Sequence, residues 1–386
     1  MKKLTIFTLT IAITFMAVFS LFLIPNERAY AYSGDFSTSA KSMCVLEKDN
    51  KRIIASHNEN RMLPMASTTK IMTAITTIQH CKNLDEYVEV DDSAVGVEGS
   101  SIYLRHGELM SVRDLLYGLM LRSGNDSAVA LAVHIGGSVE GFAKLMNDLA
   151  KDIGAENTHF VTPHGLDAKD HYTTAYDLAL ITAYSLNNPI FKEIVSTQMH
   201  TVEATNKSEK RYFSNKNKLL SSLEGCCGVK TGFTTKAGRC LVSATERDGM
   251  TLVCVVLNCG PMFEESARLL NSGHAEYKNK KIIDKDREIY NEYIIDKNAG
   301  KLYLYTEEDF YYPLRNDEEE NLRLEYNVKL DDAKEGDCVG EIKVFFDNHL
   351  LKSLKLYTMN KIDKLIDSDT LDINNVLWEE RINENQ

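Results

Sequence analysis

The residues best suited to covalent chemistry in this sequence are Ser67 and Lys70, three positions apart in the stretch MLPMASTTKIMTAITTI. Serine is a weak nucleophile at neutral pH, and a protonated lysine cannot accept a proton. Positions i and i+3 of a helix share one face, so the two side chains lie within reach of each other. Burial near a helix N-terminus would lower the pKa of Lys70 and make it a base for Ser67. The spacing alone is equally typical of a capping serine followed by a solvated lysine.

Two further segments carry polar groups that suit a binding cleft. Ser123-Gly124-Asn125 separates two helical segments in LMLRSGNDSAVAL, where a turn can present a hydroxyl and an amide, although Gly and Asn there are also ordinary helix caps. Lys230-Thr231-Gly232, in GVKTGFTTKAGRC, is predicted at the start of a strand. It offers a cation, a hydroxyl and close backbone approach to a substrate carboxylate.

The order of these segments, SxxK then SxN then KTG, resembles the penicillin-recognising serine acyl enzymes. The chain is similar to the D-alanyl-D-alanine carboxypeptidases, the low-molecular-mass penicillin-binding proteins of bacterial cell walls, over most of residues 40–275. The resemblance is carried by NRMLPMASTTKIMTA, LRSGNDSAVALA, FVTPHGLDAKDHYTTAYDLALI and GVKTGFTTKAGRCLVSATERDGMTLVCVVLN. The region that follows is similar in position and size to the family's second domain.

The resemblance implies a catalytic role for each motif residue. Ser67 would be the nucleophile that forms an acyl-enzyme, and Lys70 the base that activates it. Ser123 would relay a proton to the departing D-alanine, and Asn125 would hold the peptide backbone of the substrate. The backbone N–H groups of Ser67 and Phe233 would form the oxyanion hole.

The resemblance also implies how the substrate is held. Lys230 would attract the terminal carboxylate and help to keep Lys70 deprotonated, and Thr231 would hydrogen-bond that carboxylate. Gly232 and Phe233 complete the substrate-binding segment. The family likeness implies no metal and no cofactor.

One position departs from the family pattern. Many members carry an arginine before the FE of the helix that follows the last strand, where it is thought to assist carboxylate recognition. In CGPMFEESARLL that place is taken by Met262. Specificity for a free C-terminus therefore depends on Lys230, Thr231 and any other nearby cation. The same variant resembles the sporulation-associated subset of the family.

Two alternative functions are compatible with parts of the pattern. A class A β-lactamase shares the fold and the motifs, but it needs a deacylating glutamate in an E-x-x-L-N loop, and the sequence contains no such motif. A non-catalytic cell-wall-binding protein would not need all motifs intact. We therefore expect a serine carboxypeptidase that removes the terminal D-alanine from peptidoglycan pentapeptide stems and that β-lactam antibiotics inhibit covalently.

Other polar and thiol side chains are expected to be structural. His164 and His171, in TPHGLDAKDHYTT, fit an ordered loop better than a metal or base site, and Asp177 lies inside the next predicted helix. The eight cysteines form neither a disulfide framework nor a CxxC pair. Four of the last six lie in apolar, strand-like surroundings, where buried free thiols are expected. A zinc site is not favoured.

The N-terminus has the features of an export signal. Lys2 and Lys3 precede an apolar run, Leu4 to Ile24, and an A-x-A site ends at Ala31. This predicts a signal peptide over residues 1–31. The run is also long enough for a retained membrane anchor, the only membrane association expected. Either outcome predicts an extracytoplasmic protein, in the cell wall or at the outer face of the cytoplasmic membrane.

The charge distribution excludes some partners. The formal net charge is −12, and from residue 281 onward 15 Lys and Arg face 26 Asp and Glu. This balance argues against binding of nucleic acid and against electrostatic adhesion to anionic lipids.

The order of predicted elements indicates an α+β fold. A hairpin over 42–56 precedes helices between residues 64 and 165, and an antiparallel pair, GRCLVSATE and MTLVCVVLN, follows. We expect the N- and C-terminal segments to complete one sheet around an all-helical region, which matches the β-lactamase/transpeptidase-like architecture that the resemblance implies. The predicted domains are 32–278, catalytic, and 279–386, a smaller β-rich domain with an acidic tail.

Overall fold

The structure, a computed structural model, describes residues 36–287, 289–295, 298–328 and 333–359. The predicted signal segment 1–31 and the C-terminal tail beyond residue 359 lie outside the described residues. Strands of the first part of the chain are β1 (Ser42–Glu47), β2 (Ile53–His57), β3 (Tyr87–Glu89), β4 (Leu109–Ser111), β5 (Met199–Val202), β6 (Arg211–Ser214), β7 (Cys226–Thr234), β8 (Gly238–Arg247) and β9 (Met250–Leu257).

A five-stranded antiparallel sheet with the order β2-β1-β9-β8-β7 forms the centre of the fold. Val45 of β1 pairs with Ala55 of β2 on one side and with Cys254 of β9 on the other. All residues of β9 are buried, as expected for a central strand covered on both faces. The prediction that N- and C-terminal segments complete one sheet is confirmed, and so is the α+β class.

Helices between and after these strands cover the sheet and build the helical region. They are α1 (Lys70–His80), α2 (Val112–Tyr117), α3 (Asn125–Gly136), α4 (Val139–Ile153), α5 (Ala175–Leu186), α6 (Pro189–Ser196), α7 (Leu219–Ser222) and α8 (Met262–Glu276). Helix α1 is buried from Lys70 through Ile78 and packs against α3, α4 and α5. Its first residue therefore starts in the interior of the protein.

Helix boundaries follow the capping signals of the sequence. The Thr174 side chain accepts a hydrogen bond from the backbone N–H of Asp177 at the start of α5. Ser138 caps α4 in the same way, through Gly141 N–H. Gly154 ends α4 with φ of 88°, a conformation that favours glycine. Asp177 thus belongs to the helix start, in keeping with the structural role expected of it.

The chain after residue 277 is built from β-strands. These are β10 (Lys278–Ile283), β11 (Ile289–Ile295), β12 (Asn298–Tyr305), β13 (Phe310–Leu314), β14 (Leu322–Val328), β15 (Cys338–Phe346) and β16 (His349–Thr358). They form a β10-β13 pair and a sheet of order β11-β12-β16-β15-β14, around an apolar cluster of their own. The predicted all-β second domain is confirmed, while the boundary at 278/279 stays a prediction.

Arg52 joins the β1–β2 hairpin to this second part of the chain. Its Nη2 lies 2.7 Å from Glu318 Oε1, and both side chains are about nine-tenths buried. The guanidinium also lies over the rings of Tyr277, Tyr312 and Phe346, at 5.2, 5.1 and 4.7 Å from their centroids. Arginine keeps its charge in such surroundings, so the contact is an ion pair set among aromatic faces.

The eight cysteines all lie among the described residues and are free thiols. Burial raises the pKa of the Cys227 thiol to about 12, typical of an inert buried cysteine.

Within the described ranges, no group of three or more His, Cys, Asp or Glu side chains is arranged to hold a metal ion. No single described helix is long and apolar enough to cross a membrane; α3 and α4 reach that length only as a pair bent by 83°.

Candidate active site

Ser67 lies in a short 3-10 turn, Ala66–Thr69, that leads directly into α1. Ala66 has φ of +50°, a value that costs a residue with a side chain about 1 kcal/mol or more. The turn places Ser67 three residues before Lys70 at the mouth of the buried helix, and Ser67 itself is half-buried. The predicted pairing of the two side chains is therefore possible in space.

Lys70 is fully buried and its Nζ has three oxygen neighbours. Ser67 Oγ lies at 3.1 Å, Asn125 Oδ1 at 2.6 Å and the backbone oxygen of His164 at 2.6 Å. None of the three oxygens carries a charge, so nothing among them compensates an ammonium. Burial, and after it the charge of Lys230, holds the pKa of Lys70 well below its usual value.

The geometry around Nζ fits a neutral amine. A neutral lysine has two N–H hydrogens and one lone pair. Its two hydrogens can serve the two shorter contacts, to Asn125 Oδ1 and the His164 carbonyl. The lone pair is then left for Ser67 Oγ, the longest contact. In this arrangement the Ser67 hydroxyl donates its proton toward Lys70.

The Ser123-Gly124-Asn125 turn lies between a π-helical segment, Gly118–Arg122, and α3. Ser123 is buried and has φ of 63°, the left-handed conformation that ends the preceding helical segment. Asn125 donates from Nδ2 to the backbone oxygen of Glu98 at 2.5 Å and faces Lys70 with Oδ1. The predicted helix–turn–helix is present, and it brings Asn125 to Lys70.

Lys230, Thr231 and Gly232 lie in the middle of β7, which runs from Cys226 to Thr234. The expectation that they begin a strand was wrong, because the Cys226–Val229 stretch already pairs with β8. Strand β7 is at the edge of the sheet and also contacts the Ala66–Thr69 turn. The KTG segment therefore lies beside the nucleophile as part of an extended strand.

Gly232 is the point of closest approach between β7 and the Ser67 turn. A Cβ at this position would lie 3.1 Å from the backbone nitrogens of both Ser67 and Thr68 and 3.2 Å from Ala66 Cβ. These separations are tighter than ordinary contact, so a larger residue would push the turn away from the strand. The next residue, Phe233, has a side chain that is 66% exposed.

Three lysines form an electrostatic group around the site. Lys230 is buried, and its Nζ donates to the backbone oxygen of Thr231 at 3.0 Å. Burial, with the charge of Lys216 second, lowers the pKa of Lys230 to about 7. Lys216 donates to Ser100 Oγ at 3.0 Å and is another cause of the low pKa of Lys70. The predicted neighbourhood of Lys70 and Lys230 is thus present, with Lys216 added.

The loop that contains His164 and His171 supports the Ser67 turn from another direction. Gly165 has φ of 85°, and a Cβ there would lie 1.9 Å from the Ala66 oxygen. His171 Nδ1 accepts from Val161 N–H at 3.0 Å, which leaves Nε2–H to donate to Thr69 Oγ1 at 2.9 Å. Burial lowers the pKa of His171 to about 4, so the ring is neutral.

Asp126 organises the loop that follows Ser100, whose backbone oxygen accepts from Asn125 N–H at 2.7 Å. Its buried carboxylate accepts hydrogen bonds from Ser101 Oγ at 2.5 Å and from the backbone N–H groups of Ile102 and Leu104 at 3.0 to 3.1 Å. These bonds hold the intervening Tyr103 at φ of 63° with its ring 81% exposed. Together with the backbone N–H of Ser127, at 2.9 Å, these donors satisfy the carboxylate and fix the loop against the start of α3.

Sequence reasoning missed Lys216, Asp126 and Gly165. Lys216 belongs to the polar run NKNK, which resembles any solvated loop, and nothing local indicates its approach to Lys230. Asp126 directly follows the SGN motif, and a carboxylate at the start of an otherwise apolar helix, NDSAVALA, was a usable signal. Gly165 follows Pro163-His164 in a segment that already suggested an ordered turn.

Met262, which occupies the place of the family's arginine, packs against the apolar cluster on one side of the central sheet. It begins α8 and supplies no positive charge. Lys216 is the additional cation that the sequence could not locate. Its charge contributes, after burial, to the lowered pKa of Lys230.

The chain matches two described families in succession. Residues 29–260 match the family described as D-alanyl-D-alanine carboxypeptidase, and residues 277–364 match the penicillin-binding protein 5 C-terminal domain. Among curated relatives, D-alanyl-D-alanine carboxypeptidase DacF of Bacillus subtilis is 31% identical over 264 residues, which cover 67% of this chain and 68% of the relative.

Solved structures give the same result. Penicillin binding protein 5 from Haemophilus influenzae is similar with a TM-score of 0.67 and 28% identity, covering 84% of this chain and 98% of that one. The Streptomyces K15 DD-transpeptidase has a TM-score of 0.59 and 32% identity, covering 62% of this chain and 98% of its own. The sequence motifs, the fold and these matches agree: the chain belongs to the D-alanyl-D-alanine carboxypeptidase family.

Proposed function

We propose that this protein is a serine-type D-Ala-D-Ala carboxypeptidase, a penicillin-binding hydrolase that removes the terminal D-alanine from peptidoglycan pentapeptide stems. The observation that carries the proposal is the environment of Lys70. Its Nζ is buried, lies 3.1 Å from Ser67 Oγ and has uncharged oxygens as its other neighbours. A lysine in such a place serves as a general base for one hydroxyl.

In the first half-reaction, Ser67 Oγ attacks the carbonyl carbon between the two D-alanines. Lys70 takes the hydroxyl proton as the C–O bond forms. The negative oxygen of the tetrahedral intermediate is stabilised by the backbone N–H groups of Ser67 and Phe233. The C–N bond then breaks, and Ser123 passes a proton from Lys70 to the departing amine. D-alanine leaves, and the stem peptide remains as an ester on Ser67.

In the second half-reaction, water replaces the departed amine. Lys70, neutral again, takes a proton from the water as it attacks the ester carbonyl. The ester C–O bond breaks, the proton returns to Ser67 Oγ, and the shortened stem peptide leaves. The same base serves both steps, so the cycle needs neither a metal nor a cofactor.

The substrate is held across the cleft between β7 and the Ser123 turn. Lys230 and Thr231 receive the terminal carboxylate, and Asn125 holds the peptide backbone of the stem. Gly232 allows the substrate to lie against the strand edge beside the Ser67 turn. Lys230, with a pKa of about 7, gains charge most readily when a carboxylate binds beside it.

β-Lactam antibiotics are expected to acylate Ser67 as covalent inhibitors. A β-lactamase would release the product quickly, because a dedicated glutamate activates water. The lack of an E-x-x-L-N motif in the sequence supports a long-lived acyl-enzyme, lasting minutes or more. A non-catalytic wall-binding protein would not be labelled at all.

The proposed place of action is outside the cytoplasm. Peptidoglycan stems are found there, and the predicted signal segment 1–31 supports export. Membrane association would arise only through this segment, if it is retained. The peptidoglycan substrate and the resemblance to wall enzymes also support a part in cell-wall synthesis and cell shape.

The test is incubation with a peptide ending in Lys-D-Ala-D-Ala, with products followed by mass. The wild-type protein is expected to release one D-alanine, and Ser67→Ala is expected to lose both this release and labelling by a fluorescent penicillin. Ser353→Ala, on an exposed position of β16, is the matched control. D-Alanine release by Ser67→Ala, or its absence from the wild type, would contradict the proposal.

A further inference from the structure

Thr73 lies one helical turn after the proposed base, on the same face of α1. Its side chain is fully buried, and its hydroxyl donates to the backbone oxygen of Pro163 at 2.6 Å. The next backbone oxygen along the chain, that of His164, accepts from Lys70 Nζ, also at 2.6 Å. Two side chains of one helix therefore hold two successive carbonyl groups of one loop.

The bond made by Thr73 differs from those of other buried hydroxyls in helices. Thr77, Thr182 and Ser185 each donate to the backbone oxygen four residues earlier in their own helix, at 2.7 to 2.8 Å. Such a bond satisfies the hydroxyl within the helix and involves no other segment. Thr73 donates instead to a residue 90 positions away in the chain. Its hydroxyl therefore connects the helix to a distant loop.

The same loop follows one side of the helical segment from the nucleophile inward. Ala66, Lys70 and Thr73 are spaced four and then three positions apart, which places them on one face. Gly165 lies against the Ala66 oxygen, where a Cβ would be 1.9 Å away. The two loop residues before this glycine contact Lys70 and Thr73. The loop is thus held at successive turns, and the Thr73 bond is the contact furthest along the chain from Ser67.

The position of the His164 carbonyl decides how the Lys70 amine is turned. A neutral amine has two hydrogens and one lone pair, and it rotates about its bond to Cε unless its hydrogens are held. Asn125 Oδ1 accepts one hydrogen at 2.6 Å, and the His164 oxygen accepts the other. With both acceptors in place, the lone pair points to Ser67 Oγ at 3.1 Å. If the carbonyl moved, the amine could turn and donate to the serine hydroxyl instead of accepting its proton.

The carbonyls of Pro163 and His164 face the same helix although they belong to adjacent residues. In an extended segment, successive residues point to opposite sides, so this arrangement depends on contacts that hold the loop in another conformation. Pro163 is buried, and a buried carbonyl that loses its donor is unfavourable. Without the Thr73 hydroxyl, this carbonyl would turn to find another partner. The next carbonyl would move with it, because the two peptide planes meet at one Cα.

We propose that Thr73 is a positioning residue for the catalytic base. Its bond to the Pro163 oxygen holds the adjacent His164 carbonyl in place. That carbonyl in turn keeps the lone pair of Lys70 directed at Ser67. The proposal rests on the proposed function, since Lys70 is the base of that reaction. Thr73 acts through the loop, with no contact to the reacting atoms.

The same orientation of the amine serves both half-reactions. Lys70 takes the proton of the Ser67 hydroxyl during acylation and a proton of water during deacylation. An amine that is wrongly turned therefore slows both steps by a similar factor. In a two-step reaction this lowers kcat and leaves KM unchanged. A change in the shape of the substrate cleft would raise KM instead.

The experiment replaces the Thr73 hydroxyl by a methyl group. For a peptide ending in Lys-D-Ala-D-Ala, we expect Thr73→Val to lower kcat about tenfold and to leave KM within twofold of the wild-type value. Labelling by a fluorescent penicillin should slow, and the bound label should persist longer, by about the same factor. Each sample is normalised by titration of its active sites with penicillin, so a smaller folded fraction does not affect the rates.

Two further variants separate the hydroxyl from packing. Thr73→Ser keeps the donor and loses a methyl group, and its kcat is expected to stay within threefold of wild type. Thr77→Val is the matched control, because it makes the same exchange at an equally buried threonine of α1 whose hydroxyl donates within the helix. Its kcat is expected to stay within twofold of wild type.

The outcomes distinguish this role from the proposed function. If Thr73→Val is no slower than Thr77→Val, the positioning role is overturned and the carboxypeptidase stands. The same conclusion follows if Thr73→Ser is as slow as Thr73→Val, since the volume of the side chain would then matter and not its hydroxyl. A loss confined to KM also overturns the role. A wild-type protein that neither releases D-alanine nor is labelled contradicts the proposed function and, with it, this role.

Discussion

Lys70 and Arg52 are both buried cations, and their surroundings differ in one decisive way. Lys70 Nζ faces a hydroxyl, an amide oxygen and a backbone oxygen, with other lysines nearby. Arg52 faces the Glu318 carboxylate and three aromatic rings. Uncompensated burial favours the neutral form of Lys70, whereas a carboxylate and ring faces preserve the charge of Arg52. The first arrangement suits the base that we propose, and the second suits a structural contact between two parts of the chain.

The largest effect is expected from removing the ability of residue 70 to lose its proton. Lys70→Arg puts a permanent positive charge in place of the neutral amine, and a guanidinium cannot act as a base at neutral pH. The rate of Ser67 acylation by a fluorescent penicillin should fall about a thousandfold. Lys236→Arg, at an exposed position, should leave the rate unchanged. A Lys70→Arg variant that is labelled within tenfold of the wild-type rate would show that charge, and not basicity, is what matters there.

The pH dependence of carboxylate recognition tests the different roles proposed for Lys230 and Lys70. Lys230, with a pKa of about 7, is charged below that pH and loses its charge as pH rises through it. The kcat/KM for a peptide ending in D-alanine should therefore fall above pH 7, while a peptide ending in D-alaninamide should show no such fall. At low pH, protonation of Lys70 should reduce kcat/KM for both peptides.

Lys230→Arg provides the control for this profile. Arginine stays charged at all accessible pH values, so the fall above pH 7 should disappear for the D-alanine peptide. If the amide peptide shows the same high-pH fall as the carboxylate peptide, Lys230 is not the group that recognises the carboxylate.

A smaller effect is expected at His171, which positions the Ser67 turn through Thr69. His171→Ala should slow acylation of Ser67 about tenfold, because Thr69 and the strained Ala66 lose support. His171→Gln can both donate and accept, and should restore most of the rate. With a pKa of about 4, His171 is neutral from pH 5.5 upward, so the loss should be constant across pH 5.5 to 9. A loss that varies with pH in that range would assign His171 a proton-transfer role.

The smallest effect on activity is expected at Arg52. Arg52→Ala removes the closer of the two arginines at the buried Glu318 carboxylate, since Arg315 Nη2 lies at 3.4 Å, and the free energy of unfolding should fall by about 2 kcal/mol, measured with urea. The rate of penicillin labelling should stay within twofold of wild type. Arg323→Ala removes a half-exposed arginine that also pairs with a glutamate and a ring, and should cost about 0.5 kcal/mol. An equal loss of unfolding free energy in the two variants would mean that burial does not make Arg52 more important for stability than Arg323.

Much of the fold was predictable because its signals are local. The hairpin of β1 and β2, the apolar pair β8–β9 and the helix caps at Thr174 and Gly154 each depend on a few adjacent residues. Strand β7 was assigned too short, because Cys226 to Val229 gives no alternating pattern. The β5–β6 hairpin was missed altogether, since its polar residues resemble a loop.

The candidate site was predictable only as a set of motifs. The types and order of Ser67, Lys70 and Lys230 pointed to acyl-enzyme chemistry, and the structure brings them together. The sequence did not predict that Lys216 and Gly165 belong to the site, because both act on residues that are distant in the chain. Lys216 acts through its charge on Lys230, and Gly165 through the space it leaves beside Ala66.

Gly165 and Gly232 have a consequence for how this protein can change under drug selection. One glycine packs against the carbonyl oxygen of Ala66, and the other against the nitrogen of Ser67. The two atoms lie on opposite sides of the trans peptide group between Ala66 and Ser67, so this group has a close neighbour on each side. A methyl group at Gly165 would force the Ser67 turn to move, and one at Gly232 would press on the same turn from the strand side. In the proposed mechanism, substrate and antibiotic use that same hydroxyl, so escape from a β-lactam by this route would slow wall processing equally, and tolerated resistance changes must arise elsewhere in the cleft.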